Sequence, residues 1–281
     1  MKVLVTGATG FIGNYVIKEL LKNNIEVIAT STNQQKAKSF DWFDKVNYMP
    51  FNLKEFEPKV NYFQNFGKPD ILIHLAWEGL PNYKATFHIN DNLPRHFNFL
   101  SNLIANGLND INIAGTCLEY GMKEGCLNEK LVCTPKNAYA IAKNELRIAL
   151  ENLQKEFNFD FKWTRLFYMY GKGQNAKSLF SQLDKCIDEG HSTFNMSGGE
   201  QIRDFLPVEK VAEIIVQVAM QKKIIGIINC CSGNNISLKE FLINYLKEQN
   251  KRIHLNLGFY PYTDYEPMRF WGDVKKLNNI I

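Results

Sequence analysis

The sequence predicts an α/β fold: a doubly wound parallel sheet followed by a smaller, mixed α/β lobe. Three observations carry this. Val3, Leu4 and Val5 form a short apolar run, glycines follow at 7, 10 and 13, and an amphipathic stretch with Phe11, Ile12, Val16, Leu20 and Leu21 comes next. That order reads as strand, glycine turn and helix. Residues 26–30 read as a second buried strand, closing a βαβ unit of about thirty residues. Residues 70–76 are a continuous apolar run of strand length, as expected where helices cover both faces of a sheet.

Each glycine of the first turn has a physical task. Gly7 permits the tight turn, Gly10 lets backbone N–H groups approach a pyrophosphate, and Gly13 lets the helix pack close on its strand. The helix then faces the phosphates with its positive dipole end. This is a Rossmann-type half-site for a dinucleotide. The second strand runs into Ser31, Thr32 and Asn33, with Lys36 and Lys38 beyond and no carboxylate to hold ribose hydroxyls. Hydroxyls and lysines suit a 2′-phosphate, so NADP is the expected cofactor, with NAD as the alternative.

Composition narrows the class. The chain has 281 residues, 45% of them hydrophobic, enough to fill a sizeable core. No apolar run reaches the roughly 18 residues of a membrane span. The first strand starts at Lys2, which leaves no room for a signal peptide, so a cytoplasmic location is expected. Six cysteines without paired C-x-x-C spacing read as free thiols, and no metal site is expected. The net charge of +4 comes from scattered lysines, which fits a small anionic substrate and gives no nucleic-acid stripe.

Further along, His74 lies inside the apolar run and reads as a packed core residue, while 77–83 form a loop at the carboxyl end of that strand, where ligands of parallel sheets sit. A helix is expected over 93–106. A strand over 111–114 leads into Gly115, Thr116 and Cys117. Tyr139 and Lys143, four residues apart, share one helix face. A phenol with a free pKa near 10 needs a nearby positive charge to work at neutral pH, and Lys143 can supply it. The Thr116 hydroxyl could hold the same substrate oxygen, and a nicotinamide would exchange hydride with the carbon bearing it.

With these residues the chain resembles the extended short-chain dehydrogenase/reductases, in the branch of NAD(P)-dependent nucleotide-sugar epimerases, dehydratases and reductases. The resemblance covers nearly the whole chain. Residues 7–13 resemble the family's cofactor loop, 74–76 the strand beside the nicotinamide, Asn92 its helix asparagine, Thr116 its Ser/Thr, and Tyr139 with Lys143 its catalytic pair. Arg203, Asp204 and Phe205 resemble the element near the substrate diphosphate, and Arg269 a second arginine there. Arginine suits that place because its planar fork grips phosphate oxygens bidentately.

The expected dinucleotide contacts are Gly7, Thr9, Gly10, Phe11 and Ile12; then Ser31, Thr32 and Asn33; then Asn52, Leu53, Leu75, Ala76 and Asn92, besides Tyr139 and Lys143. Trp77, Cys117, Tyr168, Arg203 and Arg269 are the expected contacts of a nucleotide-diphosphate sugar. The resemblance also implies a homodimer through helices that include 139–154. Residues 1–171 are expected to form the dinucleotide domain and 172–281 the substrate lobe, with 203–221 packing back on the former.

Departures from the family narrow the activity. Dehydratases of the family follow the catalytic threonine with an Asp-Glu pair; here Cys117 and Leu118 stand there. No histidine lies in 173–183, where the bifunctional epimerase-reductases use one. Tyr168 replaces an asparagine that many relatives place against the sugar. An NADP(H)-dependent reductase of a keto sugar, most simply a 4-keto-6-deoxy sugar, is the expected activity. A 4-epimerase with tightly bound NAD and a non-catalytic dinucleotide sensor are the alternatives.

Overall fold

The structure, a computed structural model, describes all 281 residues. The first βαβ unit is β1 (Lys2–Thr6), α1 (Phe11–Lys22) and β2 (Glu26–Thr30). Then come α2 (Gln34–Lys38), β3 (Asn47–Tyr48), α3 (Tyr62–Asn65), β4 (Ile71–His74), α4 (Leu93–Ala105), β5 (Asp110–Thr116), β6 (Gly125–Leu127), α5 (Ala138–Leu153), β7 (Asp160–Leu166) and β8 (Tyr168–Tyr170). The remainder is α6 (Leu179–Asp188), β9 (Thr193–Asn195), β10 (Ile202–Arg203), β11 (Phe205–Pro207), α7 (Val208–Met220), β12 (Gly226–Cys230), β13 (Ile236–Ser237), α8 (Leu238–Glu248), β14 (His254–Asn256) and β15 (Phe270–Gly272).

Seven strands form one parallel sheet in the order β12-β7-β5-β4-β1-β2-β3. The chain runs outward from β1 to β3, then returns to β4 on the other side of β1. The crevice between the carboxyl ends of β1 and β4 is therefore the topological switch point, where a ligand of this fold sits.

Alternation along β1 builds both faces. Val3 and Val5 join Val16, Ile17 and Leu20 of α1 and Val211 and Ile215 of α7 on one side. Leu4 joins Phe99 and Leu103 of α4, Leu146 and Leu150 of α5, and Trp163 on the other. A separate cluster of Phe180, Leu183, Phe194, Met196, Leu238, Leu242 and Leu246 forms the core of the small lobe.

One element differs from expectation. The strand anticipated at 224–230 in the small lobe is β12, the edge of the main sheet, paired in parallel with β7. Ile228 and Cys230 are buried in the α1–α7 core, so α7 serves as the helical crossover that returns the chain to the sheet. Hydrophobic spacing marks a strand but not the sheet it joins. α7 packs on this core against α1.

Helix starts follow side-chain chemistry. Asn137 caps α5 by accepting from the Ala140 amide at 2.9 Å, Ser178 caps α6 and Ser237 caps α8. No helix is long and apolar enough to cross a membrane, and all six cysteines are free.

Candidate active site

The glycine turn has the shape its spacing predicts. Gly7 has φ +70°, and a Cβ there would lie 2.8 Å from the Ala76 amide nitrogen of the neighbouring strand end. A Cβ on Gly13 would collide with the Gly7 carbonyl, so helix and turn touch at backbone distance. Gly10 is the N-cap of α1 and offers no capping side chain. The first-turn amides are thus left facing the crevice, a fit for the phosphates of a dinucleotide.

Two chambers meet at this turn. One, of about 250 Å³, is lined by Thr9, Ser31, Thr32, Lys36, Leu53, Leu75 and Ala76 among others. The second, of about 680 Å³, holds Phe11, Ile12, Thr116, Cys117, Tyr139, Tyr168 and Glu266. Gly7, Gly10, Leu75 and Trp77 border both. The lining of this trough suits an adenosine half on the Ser31 side and a nicotinamide half beside Tyr139.

Several expected contacts are engaged elsewhere. Asn33 caps α2 by accepting from the Lys36 amide at 2.9 Å, and Asn52 accepts from the Lys54 amide at 3.1 Å. Asn92 donates to the Glu78 carbonyl at 3.0 Å, fixing the loop after β4. The Ser31 and Tyr48 hydroxyls lie 2.8 Å apart. None of the three asparagines lines either chamber.

Thr116, Tyr139 and Lys143 do come together. β5 ends at Thr116, and Tyr139 and Lys143 lie on the buried face of α5. Burial pushes the Tyr139 phenol well above its usual range; Tyr83, Glu119 and Cys117 add to this, and the Thr116 hydroxyl beside it draws it back. Burial lowers Lys143 to about 7, with Glu119 opposing. Its ammonium donates to the Ala114 carbonyl at 2.8 Å and lies 4.2 Å from the centre of the Trp77 ring. The Lys143 ammonium is thus directed to Ala114 and Trp77 and not to the Tyr139 oxygen, and Tyr139 is a neutral phenol, ready to donate.

Histidines frame the same wall. His74 is buried, with Nδ1 2.8 Å from the Thr6 hydroxyl and Nε2 2.7 Å from His96 Nδ1. It is the packed core residue expected, and burial lowers it to about 3. The Trp77 indole can only donate, and it reaches His88 Nδ1 at 3.0 Å. That makes His88 neutral with its proton on Nε2, which donates to the Asn82 carbonyl at 3.0 Å.

On the substrate side, Arg203 is buried and donates to Glu266 at 3.0 Å and to the Ile202 and Met268 carbonyls. It borders an adjoining chamber with Gln201, Asn195 and Tyr260. Arg269 is exposed and lines neither chamber. The Cys117 thiol is buried and raised above its usual value, first by burial and then by Glu266. Glu266 and Glu119 were not among the expected site residues, and Tyr83 was marked only through the 77–83 loop that holds it. Glu119 left a local signal: Thr116-x-x-Glu119 has capping-box spacing.

Comparison with known proteins places this geometry. The chain is 33% identical to a dTDP-6-deoxy-L-talose 4-dehydrogenase (NAD(+)) of Aggregatibacter actinomycetemcomitans, covering 97% of this chain and 99% of that protein. It is 26% identical to a GDP-6-deoxy-D-talose 4-dehydrogenase of the same organism, covering 100% and 91%. Its fold is that of a UDP-glucuronic acid 4-epimerase from Bacillus cereus solved with UDP-glucuronic acid and NAD, with a TM-score of 0.85, 24% identity and coverage of 100% and 92%. Residues 3–231 match the model of the NAD dependent epimerase/dehydratase family, and the chain belongs to that family.

Proposed function

We propose that this enzyme interconverts the 4-keto and 4-hydroxy forms of a nucleoside-diphosphate 6-deoxyhexose, working as a ketoreductase. The observation that carries the proposal is Thr116 and Tyr139 at one end of the trough, with Lys143 one turn along α5 behind the Trp77 ring and with Cys117 and Leu118 bordering the trough. Neither offers the carboxylic acid and base that loss of water needs. The relative with 33% identity acts on a dTDP-linked 6-deoxy sugar by its name, so the dTDP series is the first to test.

The trough fits a nicotinamide dinucleotide, which when bound supplies or accepts the hydride. Tyr139 gives its phenolic proton to the sugar oxygen in reduction and takes it back in oxidation. Thr116 orients that oxygen. Lys143 leaves its resting place over Trp77 to stabilise the Tyr139 anion once the proton has gone. The cation–π contact is worth about 0.5–2 kcal/mol, small enough for such a move.

The cofactor of this proposal is NAD(H). Ser31 is hydrogen-bonded to Tyr48 and Asn33 caps α2, which leaves Lys36 as the cation in that chamber for a 2′-phosphate. The 33%-identical relative carries NAD(+) in its name.

Incubating the protein with NADH or NADPH and a panel of nucleotide-linked 4-keto-6-deoxy sugars tests this. Loss of reduced nicotinamide with one sugar supports the reductase and names the cofactor. Sugar isomers interconverting with cofactor unchanged and retained through purification would instead establish an epimerase.

A further inference from the structure

Glu119 is fully buried, three residues beyond Thr116. Its Oε1 accepts from the Thr116 amide at 2.8 Å and from the Trp163 indole at 2.9 Å. Its Oε2 accepts from Arg165 Nε at 2.8 Å. In return the Thr116 hydroxyl accepts from the Leu118 amide at 3.3 Å, so both polar groups of Thr116 are held by one capping box. With one lone pair taken by Leu118, the hydroxyl is left to bond the Tyr139 oxygen beside it. Gly115 is what lets the indole in, because a Cβ there would collide with the Trp163 ring nitrogen.

Arg165, equally buried, lies over the Tyr120 ring at 4.5 Å and donates to the Cys133 sulfur at 2.8 Å. It occupies the side of the carboxylate away from Thr116. The Trp163 indole, which donates to Glu119, has its ring centre 5.9 Å from the Lys143 ammonium. The other groups acting with Lys143 are the neutral rings of His74, His88 and His96. Among these Glu119 is the negative charge.

Resting on the reductase reading, we propose that Glu119 is the positioning residue of this site: it fixes Thr116 through the backbone amide and, through the Trp163 indole that it binds, sets a negative charge behind the ring next to Lys143. A valine or leucine at 119 would pack but could do neither. Glu119 opposes the lowering of Lys143 that burial imposes.

Two variants separate this from a merely structural role. Glu119→Gln alone would strand a buried arginine, so Arg165→Met accompanies it. E119Q/R165M keeps a carbonyl for the Thr116 amide and removes the charge. E119L/R165M removes both. The readouts are the 13C NMR titration of the Lys143 side chain in the ligand-free protein, assigned by its loss in Lys143→Met, NADH affinity, and kcat and KM against pH.

The expected result for both variants is a Lys143 that titrates at lower pH than in the wild type, with NADH affinity within about twofold. In E119Q/R165M, kcat falls roughly tenfold above neutral pH, about what one pKa unit gives, and KM barely moves. E119L/R165M loses about a further tenfold at every pH, the low end of what a misplaced proton-transfer partner costs. Folded variants with wild-type Lys143 titration and wild-type kcat would overturn the proposal. If the wild type turns over no keto sugar, the reductase reading fails, and the Lys143 titration still decides the role of Glu119. Should E119L/R165M not fold, E119Q/R165M decides it.

Discussion

The Lys143 ammonium lies 4.2 Å from the centre of the Trp77 ring and gives its hydrogen bond to the Ala114 carbonyl. Two consequences follow from where that charge rests. Tyr139, buried and without a cation on its oxygen, stays protonated, and burial draws Lys143 itself down to about 7.

Lys143 makes stability depend on pH with a definite sign. The unfolded chain holds this proton up to about 10.5, while burial in the fold lowers it to about 7. Between these values the unfolded state binds the extra proton, so this group makes the fold more stable as pH rises. The Tm of the wild type relative to Lys143→Met should therefore climb from about pH 6.5 to about pH 8.5. A flat or falling difference would contradict the buried, proton-shedding Lys143.

Tyr139→Phe removes the donor and leaves the ring. Turnover should fall by about 10²–10⁴ while NADH binding, measured by direct titration, changes little. Retained turnover would remove Tyr139 from the chemistry.

Gly7→Ala places a methyl 2.8 Å from the Ala76 nitrogen at φ +70°. The strain should cost about 1–3 kcal/mol in denaturant unfolding, and dinucleotide affinity should drop with it. An unchanged midpoint would mean that the turn relaxes freely.

Lys36→Ala addresses cofactor choice. Lys36 is exposed, so its pairing with a 2′-phosphate is worth at most about 1 kcal/mol. NADPH affinity should weaken by about fivefold and NADH affinity hold. Equal losses for both cofactors would show that Lys36 does not discriminate between them.

Away from the trough, Lys162 is paired with Asp110 at 2.6 Å, both buried. Lys162→Met strands that carboxylate and should destabilise the fold by about 3–5 kcal/mol. The kcat of the folded fraction should be unchanged, which equilibrium unfolding and active-site titration together would check.

Local chemistry was legible in the sequence. The run into the glycine turn located β1 and α1, β2 lies at the residues read for it, and the helix expected over 93–106 is α4. Thr116, Tyr139 and Lys143 converge as their spacing and the family resemblance implied. What could not be read was pairing across distance. Arg203 is joined to Glu266 from 63 residues away, and β12 enters the main sheet beside β7, neither of which leaves a periodic trace. Asn33 and Asn52 were read as ligand contacts because caps and ligand donors use the same residue types. Glu119 was within reach, since its spacing from Thr116 is that of a capping box.

Transfer of label tests the central claim most directly. NADH carrying deuterium at its transferable position is incubated with a dTDP-linked 4-keto-6-deoxy sugar, and the sugar product is examined by mass spectrometry and NMR. The account predicts one deuterium at C4 of a newly formed 4-hydroxy sugar, and none in the Tyr139→Phe variant. A 4-epimerised sugar with no label from added NADH, or a product labelled at another carbon, would contradict it.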